Sequence, residues 1–284
     1  MKILVPVDFS KNSLNALTFA CNLAFEKNAS VALLHVFSAP LVSEATASGS
    51  IITQMIADQN EISAKRLEQM ADQVKEENKR FEKLYFSYRV ILGFAADVIL
   101  EYADENEMDL IVMGIRGETS AIDRILGSVA GKVINRAKIP VLGVPEDITY
   151  HSIRCIGYAT DYSDRDIKLL KRVINLFGEM VNYEMIHINT DNPIIEPTKD
   201  NPYGDDNMLR FKKELDKEGM PHIKLRLEHY PNLVGGMEQV VRKDHIDLIV
   251  MLHRKRGIFG FLRGSDSNEA AFKLHKPVLV FHER

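Results

Sequence analysis

The stretch Asp109-Leu-Ile-Val-Met113-Gly114-Ile-Arg-Gly117 runs from a short apolar segment straight into a glycine-containing loop. Its first half has the length and aliphatic composition of a buried strand. The glycines continue in the spacing Gly114-x2-Gly117-x9-Gly127-Ser128, and a helical pattern starts at Val129. The stretch therefore predicts a strand, a loop and a helix, which is the repeating unit of α/β proteins.

The loop has the composition of a phosphate-binding segment. Glycine has no side chain to block a close approach and can adopt positive φ, so backbone N–H groups can converge on an anion. Ser128 adds a hydroxyl at the start of a helix, where unpaired N–H groups and the helix dipole favour negative charge. An ordinary loop that happens to be rich in glycine is the alternative.

The first half of the chain reads as five apolar strands separated by helices. This pattern favours a parallel sheet covered by helices on both faces. The predicted strands are Lys2–Val7, Ser30–Val36, Leu84–Leu92, Asp109–Met113 and Pro140–Val144.

The second half repeats the same landmarks in the same order. Thr160-Asp161-Tyr162-Ser163 aligns with Val7-Asp8-Phe9-Ser10, and Ile246–Met251 nearly copies Met108–Met113. We infer an internal duplication into a domain at 1–146 and a second domain at 151–284.

Composition excludes several classes of protein. The chain has 284 residues, 45% hydrophobic and 27% charged, which is ordinary for two globular domains. A net charge of −4 gives no reason to expect a nucleic-acid partner. Two cysteines make a disulfide framework improbable. No apolar run is long enough to span a membrane, and Asp8 interrupts the N-terminal run, so we expect a cytoplasmic protein.

Together with the glycine spacing, the opening segment Ile3-Leu-Val-Pro-Val-Asp8-Phe-Ser10 resembles the universal stress protein family in its tandem two-domain form. The resemblance covers nearly the whole chain. It implies a strand order of 3-2-1-4-5 in each domain. It also implies pairing of the fifth strands, Pro140–Val144 and Pro277–Phe281, as a pseudo-dimer within one chain. Whether the whole chain forms a homodimer is left open.

The resemblance implies an adenine-nucleotide site in the first domain, at the carboxyl ends of the strands. Asp8 would accept a hydrogen bond from the adenine amino group or a ribose hydroxyl, although an N-cap role is the alternative and Ser10 is the better cap by position. Arg116 and Arg124 could neutralise phosphate, and His35 is expected to be hydrogen-bonded within the fold. The predicted site residues are Pro6, Val7, Val36 and Met113 as walls for the base, and Gly114, Gly117, Gly127, Ser128 and the amide of Val129 around ribose and phosphates.

The second copy of the phosphate loop has lost glycines. Leu252 and Lys255 replace the first two, whereas Gly264-Ser265 remain. Side chains at those positions should obstruct a phosphate, so we predict one nucleotide site per chain.

Other phosphate-site chemistries are missing from the sequence. There is neither a Lys-containing P-loop nor a dinucleotide fingerprint, and no nucleophile–base pair can be placed. We therefore expect a regulatory protein of the stress response that binds ATP, with or without Mg²⁺, and is not an enzyme beyond slow turnover. A slow ATP hydrolase or phosphotransferase, and a nucleotide-independent interaction or carrier module, are the alternatives. Protein partners are not indicated.

Overall fold

A computed structural model describes residues 1–38, 49–115, 128–190, 198, 200–253 and 274–282 of the chain. The chain folds into two compact units, Met1–Tyr150 and His151–Glu283. Strands and helices alternate along both units, as the sequence predicts.

The first unit follows the predicted order of elements, with boundaries that differ by a few residues. Its described elements are β1 (Lys2–Pro6), α1 (Lys11–Lys27), β2 (Ser30–Phe37), α2 (Gly49–Glu77), a 3-10 helix (Lys79–Lys83), β3 (Phe86–Leu92), α3 (Ala95–Glu105), β4 (Leu110–Ile115), α4 (Ser128–Arg136) and β5 (Val141–Pro145).

The five strands of the first unit are parallel and lie in the order β3-β2-β1-β4-β5. Ile3, Leu4 and Val5 of the central β1 are completely buried, because helices cover both faces of the sheet. The chain leaves β1 toward β2 on one side and returns to β4 on the other. Between β1 and β4 lies the switch point, where ligands of open α/β sheets bind. The strand order implied by the resemblance is confirmed.

β4 is longer than predicted. Gly114 was expected just past the end of this strand, but it lies inside it and pairs with Val144, and Ile115 pairs with Pro145. β5 extends far enough to offer these two extra partners. The composition of the isolated segment cannot show this, because strand length depends on the neighbouring strand.

α1 begins as predicted. Ser10 is its N-cap, and the Ser10 hydroxyl accepts a hydrogen bond from the Ser13 N–H. Further along, the Asn15 amide donates to the carbonyl groups of Pro145 and Ile148, at 3.0 and 2.9 Å. These two bonds hold the segment after β5 against α1.

The second unit repeats the architecture. Its five described strands are parallel in the order β8-β7-β6-β9-β10. The described elements are β6 (Cys155–Ala159), α5 (Asp164–Phe177), β7 (Asn182–Asn189), α6 (Asp206–Lys217), β8 (Lys224–His229), α7 (Leu233–Lys243), β9 (Leu248–His253) and β10 (Val278–His282).

The backbone supports the duplication read from the sequence. After β1, the Val7 N–H donates to the Leu34 carbonyl; after β6, the Thr160 N–H donates to the Ile186 carbonyl. Two residues beyond these, Phe9 and Tyr162 share a positive φ, 63° and 59°, which few non-glycine residues adopt. Position 8 therefore corresponds to 161, and position 13 to 166.

Both cysteines are free thiols. Burial raises the pKa of Cys21 to about 12 and that of Cys155 to about 11, which makes the thiolate form scarce at neutral pH. Over the described ranges, none of the helices combines the length and apolar character needed to cross a bilayer.

Candidate functional site

A cavity of about 590 Å³ opens at the carboxyl ends of β1, β2 and β4 in the first unit. Its position is the switch point of the sheet, where the crossovers change direction. Gly117 and Gly127, and also Arg116 and Arg124, lie outside the described residues. The eight other predicted site residues all line the cavity: Pro6, Val7, Asp8, Val36, Met113, Gly114, Ser128 and Val129.

One wall of the cavity is apolar. Val7 and Met113 are 4% and 5% exposed, and Leu34 and Val36 continue this wall along β2. Ala95 and Ile99 of α3 close it from the side. A flat heterocyclic ring could be buried against these aliphatic side chains, which supply no competing polar groups.

Asp8 lies at the end of β1 with its carboxylate exposed to the cavity. Its Oδ1 atom accepts hydrogen bonds from the Ser10 N–H at 3.0 Å and the Ser10 hydroxyl at 2.5 Å. Partial removal from water raises the pKa of Asp8, but hydrogen bonds from Ser10 and Ser13 outweigh this, so the pKa is lowered overall. Asp8 is therefore ionised at neutral pH. It supports the cap residue Ser10 without itself capping α1.

Two helix N-termini meet the cavity. α1 enters it with Ser10, Lys11, Asn12 and Ser13, and α4 with its first three residues, Ser128–Ala130. Neither helix carries an acidic residue in its first turn. The partial positive charge at both N-termini is thus not neutralised by the helices' own side chains, and Lys11 adds a full positive charge. The N-terminus of α4 and Lys11 are therefore suited to an anion, whereas the N-terminus of α1 already has the Asp8 carboxylate beside its cap residue.

The side chain of Asn12 covers Gly114. A Cβ atom built on Gly114 would lie 2.6 Å from Asn12 Cγ, 2.7 Å from Oδ1 and 2.8 Å from Nδ2. These nearly equal distances mean that the amide group lies face-on against the glycine. Asn12 was not among the predicted site residues, because a polar residue in the first turn of a helix is unremarkable in a sequence.

His35 is hydrogen-bonded within the fold, as predicted. Its Nδ1–H group donates to the Val7 carbonyl at 2.8 Å. The imidazole ring packs against the Phe9 ring with 4.4 Å between the two centroids. The Arg66 guanidinium lies over the Phe9 ring, 3.9 Å from its centroid. This stack supports the backbone turn that presents Asp8 to the cavity.

The second unit has a different group at the corresponding place. Asp166, at the position of Ser13, is 1% exposed and accepts hydrogen bonds from the Tyr158 hydroxyl at 2.9 Å and the Thr160 hydroxyl at 2.6 Å. The Ser163 N–H, at the cap of α5, also donates to it, at 3.1 Å. A carboxylate of the protein thus already occupies the N-terminus of α5. The altered loop residues, Lys255 and Gly264-Ser265, lie outside the described residues.

In the ranges that the structure describes, no three His, Cys, Asp or Glu side chains are grouped so as to hold a metal ion. Among the residues that the structure describes, Asp8 and Glu146 supply carboxylates to the lining of the cavity.

Fold and cavity together define a doubly wound α/β protein with a ligand crevice at the switch point of its first sheet. The sequence profile of the universal stress protein family matches residues 1–145, and the chain belongs to this family. This confirms the resemblance seen in the sequence.

Individual relatives agree with this membership. A universal stress protein of Methanocaldococcus jannaschii is 35% identical over 147 residues, covering 50% of this chain and 81% of that protein. YxiE of Bacillus subtilis, also a universal stress protein, is 33% identical over 147 residues, covering 50% and 96%. The crystal structure of a universal stress protein from Archaeoglobus fulgidus aligns with a TM-score of 0.70 over 99% of this chain and 98% of that one. At 17% identity, this alignment shows a shared fold.

Proposed function

We propose that the first unit binds an adenine nucleotide, specifically ATP, and that the protein acts through this binding and not through rapid catalysis. The observation that carries the proposal is the mixed lining of the cavity. Aliphatic side chains of the strands line it together with the N-terminus of α4 and with Lys11, at the start of α1. A nucleotide has the same two-part chemistry, because it joins a flat base to an anionic phosphate chain.

The other groups of the cavity are compatible with a nucleotide whose base faces the aliphatic residues and whose phosphates face α4. The base would lie against Val7, Leu34 and Val36, and the phosphates would approach Ser128 and the first-turn N–H groups of α4, which have no acceptor within the helix. The ionised Asp8 carboxylate can accept hydrogen bonds from an adenine amino group or a ribose hydroxyl. A volume of about 590 Å³ is also in the ordinary range for small-molecule sites.

Any Mg²⁺ would arrive with the nucleotide. Mg²⁺ is commonly bound by one or two carboxylates together with substrate phosphates. Glu146 and Asp8 could supply carboxylate oxygens. Such an ion would neutralise phosphate charge.

We propose slow turnover at most. Phosphoryl transfer depends on a positioned base and on strong stabilisation of the transferred group. Asp8 is already bound to Ser10, and its lowered pKa makes it a weak base. Phosphate release below about 1 s⁻¹ is expected, under the range of protein kinases.

Calorimetry with ATP and adenosine tests the binding proposal. Lys11→Glu should weaken ATP binding at least tenfold, or about 1.4 kcal/mol, and leave adenosine nearly unaffected, because only the phosphates meet the reversed charge. Lys168→Glu, the same charge change at an exposed position of α5, should alter neither. A wild-type chain that binds no adenine nucleotide would overturn the proposal.

A further inference from the structure

The Asn12 side chain contains a polar atom that has no hydrogen-bond partner among the described residues. Its Oδ1 atom is buried and accepts no hydrogen bond from any described residue. A buried acceptor without a donor is costly, and native proteins rarely leave one in place. Asn12 is among the residues that line the cavity, so a rotation of its amide group would present this oxygen to a bound molecule, which can supply the missing donor.

The chemistry of a nucleotide restricts what that donor can be. Phosphate oxygens of ATP are acceptors at neutral pH and cannot satisfy an amide oxygen. The donors of an adenine nucleotide are the 6-amino group of the base and the two ribose hydroxyls. An acceptor that Asn12 presents to this cavity would therefore pair with either the base or the sugar.

The position of Asn12 distinguishes these two. Its amide lies over Gly114 of β4, whereas the aliphatic wall proposed for the base is formed mainly on β1 and β2 by Val7, Leu34 and Val36. On the other side, Ser128 begins the helix that follows β4. A group over Gly114 therefore lies between the aliphatic residues of β1 and β2, proposed for the base, and Ser128, proposed for the phosphates. The ribose is the part of a nucleotide that joins base and phosphates.

We propose that Asn12 is a specificity-determining residue that accepts a hydrogen bond from a ribose hydroxyl, so that the site selects ribonucleotides over a deoxyribonucleotide. This inference rests on the proposed function. It also gives Gly114 a definite role, since any larger residue at this position would displace the amide. Arg165 stands at the corresponding position of the second unit, so the arrangement belongs to the first unit.

Asn12→Leu tests the proposal because leucine has nearly the same shape and no acceptor. Affinities of the full chain for ATP, 2′-deoxy-ATP and 3′-deoxy-ATP are measured by calorimetry. Wild type should bind ATP about tenfold more tightly than one of the two deoxy analogues, or about 1.4 kcal/mol. In Asn12→Leu this ratio should fall to about one. Asn22→Leu, on the same helix and away from the cavity, should keep the wild-type ratio.

Asn12→Asp provides a second variant that retains the acceptor oxygen. Its added negative charge should weaken the binding of all three triphosphates. The ratio of the affinity for ATP to that for the discriminated deoxy analogue should nevertheless stay as in wild type. The inference is overturned if wild type does not discriminate between ATP and either analogue, or if Asn12→Leu keeps the wild-type ratio.

Two further outcomes would also contradict the inference, and they can be told apart. If Asn12→Leu binds ATP more weakly with the wild-type ratio unchanged and adenosine unaffected, the amide presents its N–H₂ group to a phosphate. Absence of ATP binding to wild type would overturn the proposed function and this inference together.

Discussion

The amide of Asn12 lies face-on against the Cα atom of Gly114, with a separation that leaves no room for a methyl group on the glycine. The two residues are far apart in the sequence, one in the first turn of α1 and the other inside β4. Gly114 is therefore required by a side chain of the protein as well as by any ligand that approaches it.

This relationship predicts a non-additive pair of substitutions. Gly114→Ala should displace the Asn12 amide and weaken ATP binding about tenfold, or about 1.4 kcal/mol. Stability should change little, because the displaced group is the end of a flexible side chain. In an Asn12→Ala background the clash is absent, so adding Gly114→Ala should cost no further affinity. Calorimetry on the four proteins of this cycle gives the coupling. Additive losses would show that Gly114 contacts the ligand directly.

Asp8 and Asp161 form a matched pair for testing which unit binds. Asp8→Asn should lower ATP affinity, because the variant presents an amide in place of an ionised acceptor, and Asp161→Asn should leave it unchanged. Equal losses from both variants would mean that the second unit also binds ATP.

The stability contributed by Asp8 should depend on pH with a definite sign. Because its pKa is lowered in the folded protein, the carboxylate stabilises the fold above its unfolded pKa, near 3.8. This contribution is lost as the pH falls through the lower folded value. Urea denaturation of wild type and Asp8→Asn should therefore give a difference that is constant from neutral pH to about pH 5 and shrinks in stronger acid. A difference that grows as the pH falls would contradict the direction of the shift.

Asp166 should be important for the stability of the second unit. Asp166→Asn places an amide N–H₂ group among donors from Tyr158, Thr160 and Ser163, so at least one buried donor loses its acceptor. The expected cost is about 1–3 kcal/mol in the free energy of unfolding. Chemical denaturation followed by circular dichroism measures it. Ser13→Ala, at the equivalent position of the first unit, should cost less, since it leaves no buried charge network incomplete. An unchanged stability of Asp166→Asn would refute the assigned network.

The stoichiometry of ATP binding should be one per chain. Gly127→Val should weaken binding at least tenfold, about 1.4 kcal/mol, by placing a side chain where the sequence predicts close backbone approach. Gly264→Val, in the altered second loop, should have no effect. Two equivalent sites in a calorimetric titration would contradict the predicted asymmetry.

Much of the fold was predictable because its signals are local. The apolar run 109–113 predicts a buried strand without any knowledge of its neighbours, and Ser10 followed by a helical pattern predicts an N-cap. The repeated landmarks around Asp8 and Asp161 predict two similar units. His35 was expected to be internally bonded, since a histidine at a strand end commonly finds a backbone carbonyl.

The features that were missed depend on contacts between distant segments. The end of β4 could not be predicted, because the pairing of Gly114 with Val144 is determined by how far β5 extends. Asn12 gave no signal, because its importance comes from a glycine about one hundred positions away. Asp166 resembled an ordinary first-turn acid, and only the fold shows the two hydroxyl groups directed at it.

The amino-acid sequence by itself determined the alternation of strands and helices, the duplication and the residues at the strand ends, because hydrophobic periodicity and helix capping act over a few residues. Tertiary structure alone decided which polar atoms face one another across the crevice. Parallel strands are joined through long crossovers, so residues remote in the chain meet at one edge of the sheet, where their hydrogen bonds are either completed or left open. In the second unit, the Asp166 carboxylate accepts hydrogen bonds from the hydroxyl groups of Tyr158 and Thr160. In the first unit, no described residue donates a hydrogen bond to the Asn12 side-chain oxygen.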